Sequence, residues 1–189
     1  MPEKRRKKKI KGIVLAIVLL FPVLVFVFLK RFGENQFDVP VYHQEGVIEP
    51  VAGCSPVLTP YSVPPLPGGH AWEKGPTVVY FQERSWTPGE IEYEQIVRIC
   101  EKAGRSSFGF VRLSSSELAK NGCIVDLIIP ENEARQWKQC HLLMPPEAWA
   151  VLVDEKGLIR GYYDIGEREE TGRLLIEIDI ILKNRKNDQ

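Results

Sequence analysis

The 189-residue chain has only four cysteines, and no two of them are close. They stand at positions 54, 100, 123 and 140, so neither a C-x-x-C nor a C-x-x-x-C pair exists. A compact zinc motif needs such pairs. So does dithiol exchange, which requires an attacking and a resolving thiol side by side. Histidine is equally scarce, with His43, His70 and His141 only. His43 and His70 fall in a proline-rich stretch and read as solvated loop residues. There is no glycine-rich phosphate loop and no plausible Ser/His/Asp or paired-carboxylate arrangement. With 25 basic and 25 acidic residues the formal charge is zero, so overall charge indicates no nucleic acid or other polyanionic partner.

The charge is unevenly placed, however. The run "KRRKKKIK" puts seven basic residues between positions 4 and 11, which leaves the remainder net acidic. It precedes "GIVLAIVLLFPVLVFVFL", Gly12 to Leu29, eighteen residues without a charge. As a helix this run spans roughly 27 Å, close to the hydrocarbon thickness of a bilayer. The basic flank places the N-terminus in the cytoplasm and the chain beyond the span outside. An uncleaved anchor is favoured over a signal peptide, because the apolar run is long and no small-x-small site abuts it. "VAGC", ending at Cys54, matches a lipoprotein cleavage box but lies 25 residues beyond the apolar run, and reads as chance.

The chain divides into four segments: a basic N-terminus (1–11), a transmembrane helix (12–29), a proline-rich spacer or wrapping arm (30–75) and a folded domain (76–189). Eight of the 14 prolines fall between Pro40 and Pro76, which favours extended backbone. From Thr77 the pattern becomes periodic. "TVVYF" is a continuous apolar strand, as expected where both faces are covered. Next comes a turn, "QERSWTP", with Thr87 as helix cap and Pro88 at the first helical position. The next helix carries Ile96, Ile99, Cys100 and Ala103 on one stripe and stops at Gly104. "SFGFVRLSS" is a strand, "SSELAKNG" a helical turn or two, "CIVDLIIP" a strand and "ENEARQWKQCHLL" a helix. A hairpin then pairs 149–153 with 158–163 through "DEKG", and a last helix presents Leu174, Leu175, Ile178, Ile181 and Leu182. This order predicts an α/β, thioredoxin-like sandwich around a central mixed β-sheet. In that fold a cis-proline precedes the hairpin, and Pro145 or Pro146 stands in the matching place.

"AVLVDEKGLIRGYYD" with its Leu/Ile-rich final helix, the "GPTVVYF" first strand, the single span and the proline-rich spacer resemble the Sco/SenC family. The resemblance covers most of residues 50–185. It implies a membrane-anchored, thioredoxin-like domain that delivers copper to cytochrome oxidase. That family's copper ligands are a C-x-x-x-C in the turn after the first strand and a histidine in the loop before the hairpin. Here the turn, Gln82 to Pro88, has no cysteine, and "MPPEAW" has no histidine. None of the ligands is carried over, and without soft thiolates the turn does not suit copper.

The expectation is therefore a degenerate Sco-like domain in the bacterial inner membrane, its domain in the periplasm. It is expected to act as a binding or assembly module without catalytic residues or cofactor, near oxidase biogenesis, and to meet a membrane or periplasmic protein. Glu83, Arg84 and Trp86 form the candidate interaction surface, with Trp86 as the anchor; the other tryptophans read as packing residues. One alternative is a copper chaperone or thiol redox protein with relocated ligands, for which Cys123, Cys140 and His141 are the candidates. Another is a structural subunit of a membrane complex. Disulfides are permitted outside the cytoplasm. Cys123 with Cys140 is the first pair to test, against two buried thiols.

Overall fold

A computed structural model describes residues 18–28, 38–47, 53–55, 60–69, 72, 75–83, 85–118 and 122–187. The chain forms two units, Met1–Phe37 and Asp38–Gln189. In the first, helix α1 covers residues 18–28, and its valines, leucines and phenylalanines are exposed. No helix among the described residues is long and apolar enough to cross a membrane. The expected span also includes residues 12–17 and 29, which lie outside the described set.

The second unit is built on a five-stranded sheet in the order β3-β2-β1-β4-β5. The strands are β1 (Thr77–Phe81), β2 (Gly109–Ser114), β3 (Val125–Ile128), β4 (Ala150–Val153) and β5 (Ile159–Tyr163). β1, β2 and β3 run parallel, in register Thr77 to Gly109 and Val111 to Val125. β4 is antiparallel to β1, and β5 to β4. Parallel neighbours require a crossover, and helix α2 (Ile91–Ala103) supplies it between β1 and β2. β1 is central, and Val78, Val79, Tyr80 and Phe81 are all buried, as its unbroken apolar run predicts.

Alternation along the strands divides the core in two. On one face Val78, Tyr80 and Phe110 pack with Ile96 and Ile99 of α2 and with Leu174 and Ile178 of helix α4 (Arg168–Asn187). On the other, Val79, Phe81, Val111 and Leu113 meet Trp137 and Leu142. Each fully buried aliphatic side chain here is worth about 1.5–3 kcal/mol of transfer free energy.

The proline-rich arm contributes to the second core rather than only spanning a distance. Val63, Leu66 and Trp72 are buried in it. The Val63 amide donates to the Gly157 carbonyl at 2.8 Å, and Trp72 Nε1 donates to the Val63 carbonyl at 2.9 Å. At the outer edge of β5 the Tyr42 amide donates to the Ile159 carbonyl at 2.9 Å, which occupies part of an otherwise open strand edge.

Several sequence expectations shift. The helix after β1 begins at Ile91, with Glu90 rather than Thr87 at its N-cap. Gly89 has φ +97°, which a helix cannot contain, so Thr87 and Pro88 belong to the preceding turn. There the Glu90 amide donates to the Thr87 carbonyl, and the Thr87 amide to the Glu90 carboxylate, both at 3.1 Å. Residues 115–118 and 122 are not helical. The Ser114 hydroxyl donates to the Ser116 carbonyl at 2.9 Å, a local bond of the kind that competes with a helix. The third strand is only four residues long, with Cys123 outside it. Helix α3 (Glu131–Gln136) gives way to a π-turn, Trp137–His141, in which the Leu142 amide reaches back five residues to the Trp137 carbonyl.

Candidate functional site

The C-terminal end of β1 leads into the polar turn Gln82 to Pro88. Its first residue, Gln82, is buried and faces a charge. Arg112 of β2, only 4% exposed, donates from Nη1 to Gln82 Oε1 at 2.9 Å and from Nε to Asp126 Oδ1 of β3 at 2.6 Å. A guanidinium this deeply buried demands a partner charge. Tyr80, Arg112 and Asp126 sit side by side in the sheet register. This row fixes the strand ends beneath the turn.

Glu83 is exposed and Trp86 half-buried, while Arg84 lies outside the described residues. Trp86 rests against Tyr80, ring centroids 5.5 Å apart. Its indole is thus held by the core on one side, and it also lines a cavity of about 430 Å³. Phe81, Trp149 and Ile165 complete the apolar lining, and Glu83, Glu92 and Asp164 supply carboxylates. A second cavity of about 500 Å³ shares Phe81 and Glu83 with the first and is lined by Gln82, Glu131, Arg135 and Lys138. The end of β1 therefore separates two recesses, one aromatic and acidic, the other polar and mixed in charge.

Trp149, expected from the sequence to be a packing residue, does pack against the core on the α2 and α4 side, and it is also the second aromatic wall of the recess. Its backbone is fixed twice: its carbonyl accepts from the Phe81 amide at 2.9 Å, and its amide donates to the Tyr163 carbonyl at 3.0 Å. Lys138 Nζ sits 4.3 Å from the Trp149 ring centroid. Burial pushes the Lys138 ammonium below its ordinary value, and the Glu83 charge opposes that shift. Pro145 and Pro146 lie in the loop between the π-turn and β4, where the Pro145 carbonyl accepts the Ala148 amide at 3.1 Å. The same loop holds Leu143 at φ +50°, a conformation uncommon outside glycine.

The cysteines pair as Cys54–Cys140 and Cys100–Cys123, not as Cys123 with Cys140. The sheet is the reason: Cys100 and Cys123 pack on the α2 and α4 side, while Cys140 belongs to the π-turn whose Trp137 fills the opposite core. The relocated ligands Cys123, Cys140 and His141 are thus not brought together. His141 lies against Trp137, ring centroids 4.6 Å apart, and burial lowers its pKa. Among the described residues no group of three His, Cys, Asp or Glu side chains is placed to hold a metal ion.

His43 is not a solvated loop residue. Its Nε2 is 3.0 Å from the Tyr162 hydroxyl, which donates to the Leu142 carbonyl at 2.9 Å, and burial lowers the His43 pKa. Tyr61, whose hydroxyl donates to the His141 carbonyl, has its pKa pushed up to about 12 by burial. No periodic pattern marks these contacts, since they join the arm to residues 80 and 119 positions away. His70 lies outside the described residues.

Three parallel strands, then an antiparallel hairpin on the far side of β1, with α2 and α4 on one face and α3 on the other, fit a thioredoxin-like α/β fold. No protein-family model and no curated protein sequence matches the chain. Among solved structures it is similar to a SCO1/SenC family lipoprotein from Bacillus anthracis str. Ames. That match has 13% identity over 58% of this chain and 83% of the other, with a TM-score of 0.40. It is also similar to the apo form of Trgpx, at 13% identity over 65% of this chain and 93% of the other, TM-score 0.38.

Proposed function

We propose that the protein is a membrane-tethered binding module that uses a thioredoxin-like domain for contact rather than thiol or metal chemistry. Residues 12–29 anchor it in the inner membrane with the N-terminus in the cytoplasm, and the domain works in the periplasm. Its two disulfides suit that oxidising compartment. Its setting is assembly of a respiratory oxidase, on the strength of the Sco/SenC resemblance alone.

One observation carries the binding reading. The place where the resembling family holds its copper thiolates is here a recess walled by Trp86 and Trp149, and all four cysteines are committed to disulfides away from it. Aromatic side chains held rigid at the edge of a pocket are the usual anchors of protein contacts. The test is purification of the full chain in mild detergent, with identification of co-eluting chains, for the natural protein and for Trp86→Ala. A chain retained by the first and lost by the second is the expected result. Equal retention by both, or stoichiometric tight binding of Cu(I) or Cu(II) by the purified protein, would overturn the reading.

A further inference from the structure

The recess beside Trp86 does not end at Gly166. That glycine also lines an adjoining cavity of about 600 Å³ between the first turns of α2 and α4. The two cavities adjoin at Gly166 as a groove, and in each the described carboxylates outnumber the described cations. The first part has Glu83, Glu92 and Asp164 against aromatic faces, with no lysine or arginine among the described residues that line it. A cation over an indole gains about 0.5–2 kcal/mol, and an anion there is repelled by both ring and carboxylates. Lys138 already places an ammonium over Trp149, so the environment accepts that chemistry within the molecule itself.

The second part is lined by Glu94, Glu167 and Glu169 together with Arg168. Arg168 and the half-charges of about +0.5 at the two helix N-termini offset about two of those three carboxylates, so this cavity also stays negative. Its wall includes Gln95, which is 4% exposed. Gln95 Oε1 is buried and accepts no hydrogen bond among the described residues. An unpaired buried acceptor costs about 1–3 kcal/mol, and what satisfies it must be a donor. Ammonium and guanidinium groups are donors only, and they suit the surrounding carboxylates.

We infer that this groove recognises a basic segment of a partner protein, one cationic side chain entering beside Trp86 and a second entering beside Gln95. The inference rests on the groove being the contact surface proposed above, and it adds the chemistry of what is bound. The domain's own charge favours such a partner: outside residues 4–11 the chain has 18 basic against 25 acidic residues.

The test uses the full chain in neutral detergent and a fluorescein-labelled octapeptide alternating arginine and serine, read by fluorescence anisotropy. The octapeptide is expected to bind, and its glutamate-for-arginine counterpart is not. Glu83→Gln with Glu92→Gln, and separately Glu94→Gln with Glu169→Gln, should each weaken binding at least about tenfold. Glu117→Gln, an exposed carboxylate outside the groove, should leave it unchanged. All four groove substitutions neutralise rather than remove side chains, and circular dichroism checks that the fold persists. Equal losses from the groove pairs and from Glu117→Gln would show general attraction to an acidic surface and overturn the inference. Failure of the octapeptide to bind, or equal binding of its glutamate counterpart, would also overturn the inference. Because the Trp86→Ala co-purification has a separate readout, the basic-segment inference can fail while the binding reading stands.

Discussion

Arg112 Nη1 donates to Gln82 Oε1 at 2.9 Å, a buried bond between the middle of β2 and the first residue after β1. It joins a core charge to the root of the candidate contact turn, so the turn's position is tied to the Arg112–Asp126 ion pair. Removing Asp126 takes an anionic partner from a guanidinium that is almost wholly enclosed, whereas removing Gln82 takes away a hydrogen bond to a charged group. Asp126→Ala should therefore cost about 3 kcal/mol, and Gln82→Ala about 1.5 kcal/mol. Urea unfolding at equilibrium measures both. The order of the two, Asp126 above Gln82, is the discriminating outcome.

A glycine at position 157 is required twice over. Its φ of +79° lies in the left-handed region, and a Cβ there would run into the Ser62 hydroxyl and come within 3.0 Å of the Val63 carbonyl. The β4–β5 turn and the docking of the arm therefore depend on one missing side chain. Gly157→Ala should cost at least about 1–2 kcal/mol from backbone handedness alone. It should also loosen the arm around Val63, seen as faster proteolytic cleavage within residues 60–69 under native conditions. If cleavage stays slow while stability falls, the arm is held by Trp72 and Leu66 rather than through the turn.

The strands and their order were largely legible from Thr77 onward, because burial on one or two faces leaves a periodic mark that short-range physics reads directly. β1 and the 150–163 hairpin fall within a residue or so of expectation, the latter because "DEKG" encodes its own turn. What was not legible depends on contacts distant in sequence. The arm's share in the core rests on Val63, Leu66 and Trp72, whose prolines mask any period. The disulfide partners are set by which side of the sheet each cysteine reaches, which no spacing reports. At the candidate site the sequence marks Glu83 and Trp86, and it marks Trp149 for the packing role it has but not for its place in the recess wall, nor Gln95 at all. Trp149 arrives from 63 positions beyond Trp86 by strand pairing, and Gln95 looks like any polar helix residue until its burial is known.

The disulfides close loops of very different length, 86 residues for Cys54–Cys140 and 23 for Cys100–Cys123. If both act by restricting the unfolded chain, the longer should contribute about 4.5 kcal/mol and the shorter about 3.5 kcal/mol. The Cys54→Ser, Cys140→Ser double variant should thus lose more stability than Cys100→Ser, Cys123→Ser. Denaturation midpoints measured without reductant give the comparison, and dithiothreitol should lower that of the natural protein below either variant. Maleimide labelling of the unreduced, unfolded chain should find no free thiol; any labelling there would contradict the pairing itself.

Stability should also depend on pH through His43. Burial lowers its pKa below the ordinary 6.5, so between the two values the unfolded chain binds a proton that the folded chain does not. Stability then rises with pH across that interval. The full contribution is present above about pH 6.5, and it is lost as pH falls through the folded pKa, because a protonated His43 must enter the half-buried site beside Tyr162. His141, shifted the same way by burial, acts in the same direction, so the two add. The expected outcome is a protein whose urea midpoint falls from pH 7.5 to pH 5, with a shallower fall for His43→Asn, which titrates nowhere in the range. A two-histidine loss predicts a further flattening for His43→Asn combined with His141→Asn. A slope unchanged by either substitution would assign the dependence to carboxylates instead, whose contribution disappears only at more acidic pH.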